Sequence, residues 1–143
     1  IFLRSSPDVT LTVPSTAEVP MTAGAYDVQT GSLFLDSSRG FTAVGDIKPD
    51  YVAPGVNVYE PDLRNRYTTR TGTSAAAAVA AGGSALLLEW AIKRQYARNV
   101  NSVNIKNYIL RGARREEGRT YPNKEWGYGV LDIYEALNKL RVL

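Results

Sequence analysis

The 143-residue sequence predicts an α/β domain, and three observations carry that prediction. Short β-like runs fill the first part of the chain, an alanine-rich helical run follows at Ser74, and two amphipathic helical patterns close it. The length suits one modest domain built around a single hydrophobic core. Composition is that of an ordinary globular chain, which excludes a disordered or fibrous protein.

Two N-terminal runs read as strands. DVTLTVP, 8–14, alternates up to Pro14, and MTAGAYD, 21–27, follows Pro20 as a small-residue strand. GSLFLDSSRGF is expected to be a loop because turn residues gather around Ser37, Ser38 and Gly40. DYVAPGVNVYEP gives two brief β runs, Tyr51 to Ala53 and Val56 to Tyr59, parted by the turn signal Pro54-Gly55. Asn65 to Arg70 reads as a polar segment with no element of its own.

The longest helical pattern runs from about Ser74 to about Arg98. Its first half is nearly all small residues, which lets other backbones approach and predicts a central helix buried on most sides. Gly82-Gly83 costs about 1 kcal/mol per glycine relative to alanine, so a packing reason for the pair is expected. A second helix is predicted to start with Ser102 as its N-cap, to carry Ile105, Tyr108 and Ile109, and to stop at Gly112. Arg111 to Lys124 reads as a charged surface loop. Asp132 then caps a last helix in which Ile133, Ala136, Leu137 and Leu140 follow helical spacing.

Composition narrows the chemistry. Without cysteine there is no disulfide or thiolate metal site, and without histidine any histidine-dependent reaction needs one from elsewhere. The net charge of +3 is concentrated in basic residues between Ala91 and Lys124, including Lys93, Arg94, Arg98, Lys106, Arg111 and Arg119. These are expected to form a solvated face, since no glycine-aromatic motif that stacks bases accompanies them; no nucleic-acid partner is expected. The apolar run Ala75 to Ala81 is too short to span a bilayer, so no membrane partner is expected either. The carboxylates show no calcium-loop spacing, and neither metal nor cofactor is expected. Glu116-Glu117 reads as a solvated pair, Gly127-Tyr128-Gly129 as a turn, and Trp90 and Trp126 as packing residues. The chain opens on Ile1 without a signal pattern, so a longer product with an upstream part is expected.

One residue asks for a decision. In TRTGTSAAAAVAAGG, Ser74 stands at the mouth of the alanine run. Thr71, Thr73 or Ser74 could cap the helix by accepting a first-turn N–H. The same position also puts a hydroxyl beside free N–H groups and the positive end of the helix dipole, where an attacking serine finds its oxyanion stabilised. Spacing alone leaves both readings open.

GTSAAAAVAAG resembles the serine motif of the subtilisin-like serine peptidases, with Gly72, Thr73, Ser74, Ala76 and Gly82 in place. Three more segments match in the right order: SSRG at 37–40, KPDYVAPGVNVY at 48–59 and EWGYGVLDIYEAL at 125–137. The similarity runs from about Val13 to Leu140. Within the family, TVPSTAEVPMTAGAYD, YILRGARR and YPNKEWGYG look closest to the clostridial branch that includes the spore-germination proteases.

The resemblance implies a three-layer αβα fold with a mainly parallel sheet, of which residues 1–143 would be the C-terminal portion of the catalytic domain. It implies a serine endopeptidase acting on polypeptides, with Ser74 as nucleophile. The Ser74 N–H would serve as oxyanion donor, with Thr73 assisting and Gly72 allowing the tight turn. The family's aspartate, histidine and oxyanion asparagine match nothing here, so an upstream segment of the same protein would supply them, and the chain alone would be inactive. Substrate-binding residues are left unassigned. Ala75 and Ala78 stand where the family has methionine and proline; the first change is expected to loosen packing and the second to be tolerated. A secreted or spore-associated location follows from the resemblance only. The competing reading is an inactive pseudoprotease that keeps the fold as a binding module. A free-standing structural domain is disfavoured, because a sheet cut here would leave an open edge and an uncovered apolar face.

Overall fold

The computed structural model describes residues 4–93 and 100–141. Seven elements follow in the order β1 (Ala23–Tyr26), β2 (Tyr51–Pro54), β3 (Val58–Asp62), β4 (Arg66–Arg70), α1 (Thr73–Lys93), α2 (Ser102–Gly112) and α3 (Ile133–Arg141). β1 and β2 pair in parallel with Ala23 opposite Tyr51, and a parallel bridge from Val52 to Val130 extends the pairing. β3 and β4 form a separate antiparallel hairpin.

Both faces of the parallel pair are covered, as parallel strands require. Strand alternation sends Ala25, Tyr51 and Ala53 to one side, where they pack with Ala76, Ala80 and Leu87 of α1, Ile105 and Ile109 of α2, and Ala136 of α3. Tyr26 and Val52 point to the other side and meet Trp126 and Val130. Four alanines between β1, β2 and α1 bring that helix close to the sheet.

Several expectations need correction. Residues 8–14 form no strand: Val9 has a positive φ of 58°, Val9 and Val13 are exposed, and only Val9 and Thr10 donate backbone bonds, to Gly40 and Arg39. Alternation there faces no core. The segment 66–70 is a strand although it reads as polar, because its partner β3 supplies the ladder while both faces of the hairpin lie largely in solvent. The second run also starts later than expected, at Val58. Asn101, not Ser102, caps α2: its side chain accepts from Asn104 N while the Asn104 side chain accepts from Asn101 N. Asp132 caps α3 as read, accepting from Glu135 N at 2.9 Å.

The long helix is less enclosed than its composition suggests. Ala75, Ala76, Ala80, Gly83, Ser84, Leu87 and Ala91 make one buried seam, while Ala77, Ala78, Ala81, Leu86 and Leu88 are exposed. Gly83 has the expected packing reason, since a Cβ there would lie 2.6 Å from the Ile133 side chain; Gly82 meets nothing within 4 Å. By length and composition α1 is apolar enough to cross a bilayer, which the shorter run Ala75 to Ala81 concealed. Its buried seam packs on the sheet. The expected helix beyond Lys93, with Arg94 and Arg98, falls outside the described residues, as does the side chain of Leu140.

Candidate active site

The chain reaches Ser74 through a stitched junction of three elements. Gly55, just past β2, donates its N–H to Tyr26 O at the end of β1 (3.0 Å), and its carbonyl accepts from Gly72 N (2.7 Å). A Cβ on Gly55 would come within 2.6 Å of the Ala25 Cβ and 3.2 Å of the Ala76 Cβ, so only glycine allows this approach. Gly72 itself has φ +147°, a backbone state that side chains resist. The turn from β4 into α1 is thus fixed by two glycines and two backbone bonds.

α1 then starts at Thr73, and its first bond runs from Ala76 N to Gly72 O. The N–H groups of Thr73, Ser74 and Ala75 precede that bond and find no protein acceptor among the described residues. None of the three hydroxyls caps them. Thr71 Oγ1 instead accepts from Asn57 N at 3.0 Å, holding the neighbouring turn. The Ser74 hydroxyl is exposed and has no hydrogen-bond partner among the described residues. A helix start with a free hydroxyl and free amides holds ready donors for developing negative charge.

Ser74 opens onto a groove of about 420 Å³. Thr73, Ser74 and Ala77 form one side, and Pro14, Ser15, Pro20 and Met21 the other. Ala75 is buried, and Ala78 is exposed on an unbroken helix, so neither departure from the family motif interrupts α1.

Beneath that far wall lies a polar cluster that sequence reasoning missed. Asp50, almost fully buried, accepts from Thr22 N (2.7 Å) and Lys48 Nζ (2.8 Å) on one oxygen and from Lys106 Nζ (2.8 Å) on the other. Lys48 Nζ also donates to Pro20 O at 2.7 Å and to Thr22 Oγ1 at 3.4 Å. Lys106 is therefore not part of the solvated basic face expected for it. The signal was thin: KPD sits before a strand, and the second lysine is more than fifty residues away in α2. Burial, and secondarily the Asp50 charge, pushes the neighbouring Tyr51 phenol up to about 12.

Glu116 pairs with Arg119, whose guanidinium lies 4.1 Å from the centre of the buried Trp126 ring. Gly129 N donates to Trp126 O at 2.9 Å, which closes the expected turn over Gly127 and Tyr128. No group of carboxylates among the described residues could hold a metal ion.

Comparison with known proteins decides the family. Residues 4–129 match the subtilase family, Peptidase_S8. The chain belongs to the subtilase family. It is 38% identical over 143 residues to the C5a peptidase of Streptococcus pyogenes, covering 95% of this chain and 12% of that protein. It is 34% identical over 106 residues to the membrane-bound transcription factor site-1 protease of Mus musculus, covering 70% of this chain and 10% of that protein. Among solved structures, the CspB protease of Clostridium perfringens superposes with a TM-score of 0.92 at 35% identity, covering 97% of this chain and 30% of that one. The expected subtilisin-like α/β fold and the likeness to a clostridial protease are both borne out. The chain spans only a fraction of the length of each of these relatives.

Proposed function

We propose that this chain is the nucleophile-bearing C-terminal portion of a subtilase catalytic domain that hydrolyses peptide bonds in polypeptides. One observation carries the reading: at the start of α1, facing a groove, the exposed Ser74 hydroxyl and the N–H groups of Thr73, Ser74 and Ala75 have no hydrogen-bond partner among the described residues. Ser74 Oγ bonds to the scissile carbonyl carbon while its proton passes to a histidine. The C–N bond breaks, the amine leaves with that proton, and water hydrolyses the acyl-enzyme. The Ser74 N–H stabilises the oxyanion, Thr73 Oγ1 assists, and Gly72 sets the turn that presents them.

The sequence holds no histidine, so this reading assigns the histidine, aspartate and oxyanion asparagine to an upstream segment of the same protein. Support comes from the open side of α1, where Met21, Tyr51, Ala77, Ala81, Ala85 and Leu88 line a mostly apolar hollow of about 360 Å³. The secreted or spore-associated location belongs to the same proposal; one relative, the site-1 protease, is membrane-bound by name.

Fluorophosphonate labelling of the natural full-length protein beside the 143-residue chain, with the modified peptide located by mass spectrometry, tests this. Labelling of Ser74 in the full-length protein alone is expected. No labelling in either sinks the peptidase reading in favour of an inactive binding module.

A further inference from the structure

We infer that Lys106, acting through Asp50 and Lys48, is a positioning residue that fixes the far wall of the Ser74 groove; this rests on the peptidase reading above. The segment Pro14 to Thr22 forms that wall yet contains no strand or helix, and residues 17–20 are exposed. Apart from local turn bonds and a backbone bond from Asp50 N to Thr22 O at 2.8 Å, what ties it to the rest of the fold among the described residues is one cluster. Thr22 N and Lys48 Nζ meet on Asp50 Oδ2, Lys48 Nζ reaches Pro20 O, and Thr22 Oγ1 donates to Ser15 O at 2.7 Å. Lys106 closes the set from α2, bonding Asp50 Oδ1 at 2.8 Å and Glu18 O at 3.0 Å.

The arrangement uses two cations for one carboxylate. The surplus of donors over what Asp50 alone requires is spent on the backbone carbonyls of Glu18 and Pro20 and on the Thr22 hydroxyl. A buried ion pair of this kind costs desolvation, and its return here is a fixed wall. Lys106 does not line the groove, so it acts on substrate only by holding residues that do.

The test is Lys106→Met in the full-length protein, with Lys106→Arg as the charge-keeping rescue and Lys106→Gln as a milder loss should the methionine variant not accumulate. The expected result is a fluorophosphonate labelling rate within about twofold of the parent, since a small phosphonate does not depend on the far wall that Lys106 holds. KM for a peptide that fills the groove rises on the order of tenfold with kcat nearly unchanged, and Lys106→Arg recovers most of it. Hydrogen exchange supplies a reading independent of activity: amides of 15–22 lose protection while those of α1 keep theirs. Equal loss in kcat and KM terms, or exchange that is unchanged at 15–22 or raised everywhere, overturns the inference. If the parent protein itself fails to label, the peptidase reading falls, and the exchange experiment still decides whether Lys106 holds the wall.

Discussion

Asp50, just before β2, and Ser74, at the start of α1, are both polar side chains, and the fold treats them oppositely. Asp50 is buried with partners on both carboxylate oxygens, all supplied by its own chain. Ser74 is exposed, with a hydroxyl and an N–H that nothing in the described chain engages. A group that holds structure together has its hydrogen bonds completed at folding; a group reserved for a ligand has them left open. The difference separates the structural polar cluster from the candidate reactive one more sharply than residue type does.

The comparison breaks most visibly at the open end. Ser74→Ala in the full-length protein is expected to abolish fluorophosphonate labelling and to lower peptide hydrolysis by on the order of 10⁶-fold, the loss seen for the nucleophile in subtilisin itself. Its melting temperature is expected to stay within a few degrees, because the hydroxyl has no hydrogen-bond partner among the described residues.

At the closed end the signs reverse. Asp50→Ala strands Lys48 in the interior and is expected to cost about 3–5 kcal/mol of stability, read by urea unfolding, because an uncompensated buried charge remains. Measured stability unchanged by this substitution would remove the structural role assigned to the cluster.

Tyr51, next in the chain, sharpens the contrast through pH. Its folded pKa of about 12 lies above the ordinary phenol value of 10.0. Between those values the unfolded chain has released the proton and the folded chain has kept it, so this contribution is complete below pH 10 and lost as pH rises towards 12. Unfolding free energies from urea titration are expected to fall across that window by an amount on the order of 2 kcal/mol, and less steeply in Tyr51→Phe.

The smallest effect belongs to Thr73. Thr73→Val keeps the shape and removes a hydroxyl proposed only to assist, so kcat is expected to drop about fivefold, the worth of roughly one hydrogen bond, with stability unaffected.

Sequence showed the elements whose pattern is local. β1, β2, the small-residue helix and the Asp132 cap all follow from alternation, spacing or capping chemistry. DVTLTVP misled because alternation describes a strand only when a core and a partner await it, and here Val9 and Val13 meet solvent. β4 hid because hairpin pairing, with Tyr59 stacked diagonally on Tyr67 at 5.0 Å, makes a strand of residues that carry no apolar face. The Ser74 position was legible as a motif, but its free hydroxyl was not, since capping and catalysis begin from the same residues. The Asp50 cluster needed the tertiary fold, as Lys106 reaches it only through the packing of α2.

The most direct test of the open helix start is a crystal structure of the full-length protein after reaction with a peptidyl phosphonate. The expected result is a covalent bond from Ser74 Oγ to phosphorus, with one phosphonyl oxygen within hydrogen-bond distance of the Ser74 N–H. An adduct on another residue, or one on Ser74 whose oxygens all turn away from the start of α1, contradicts it.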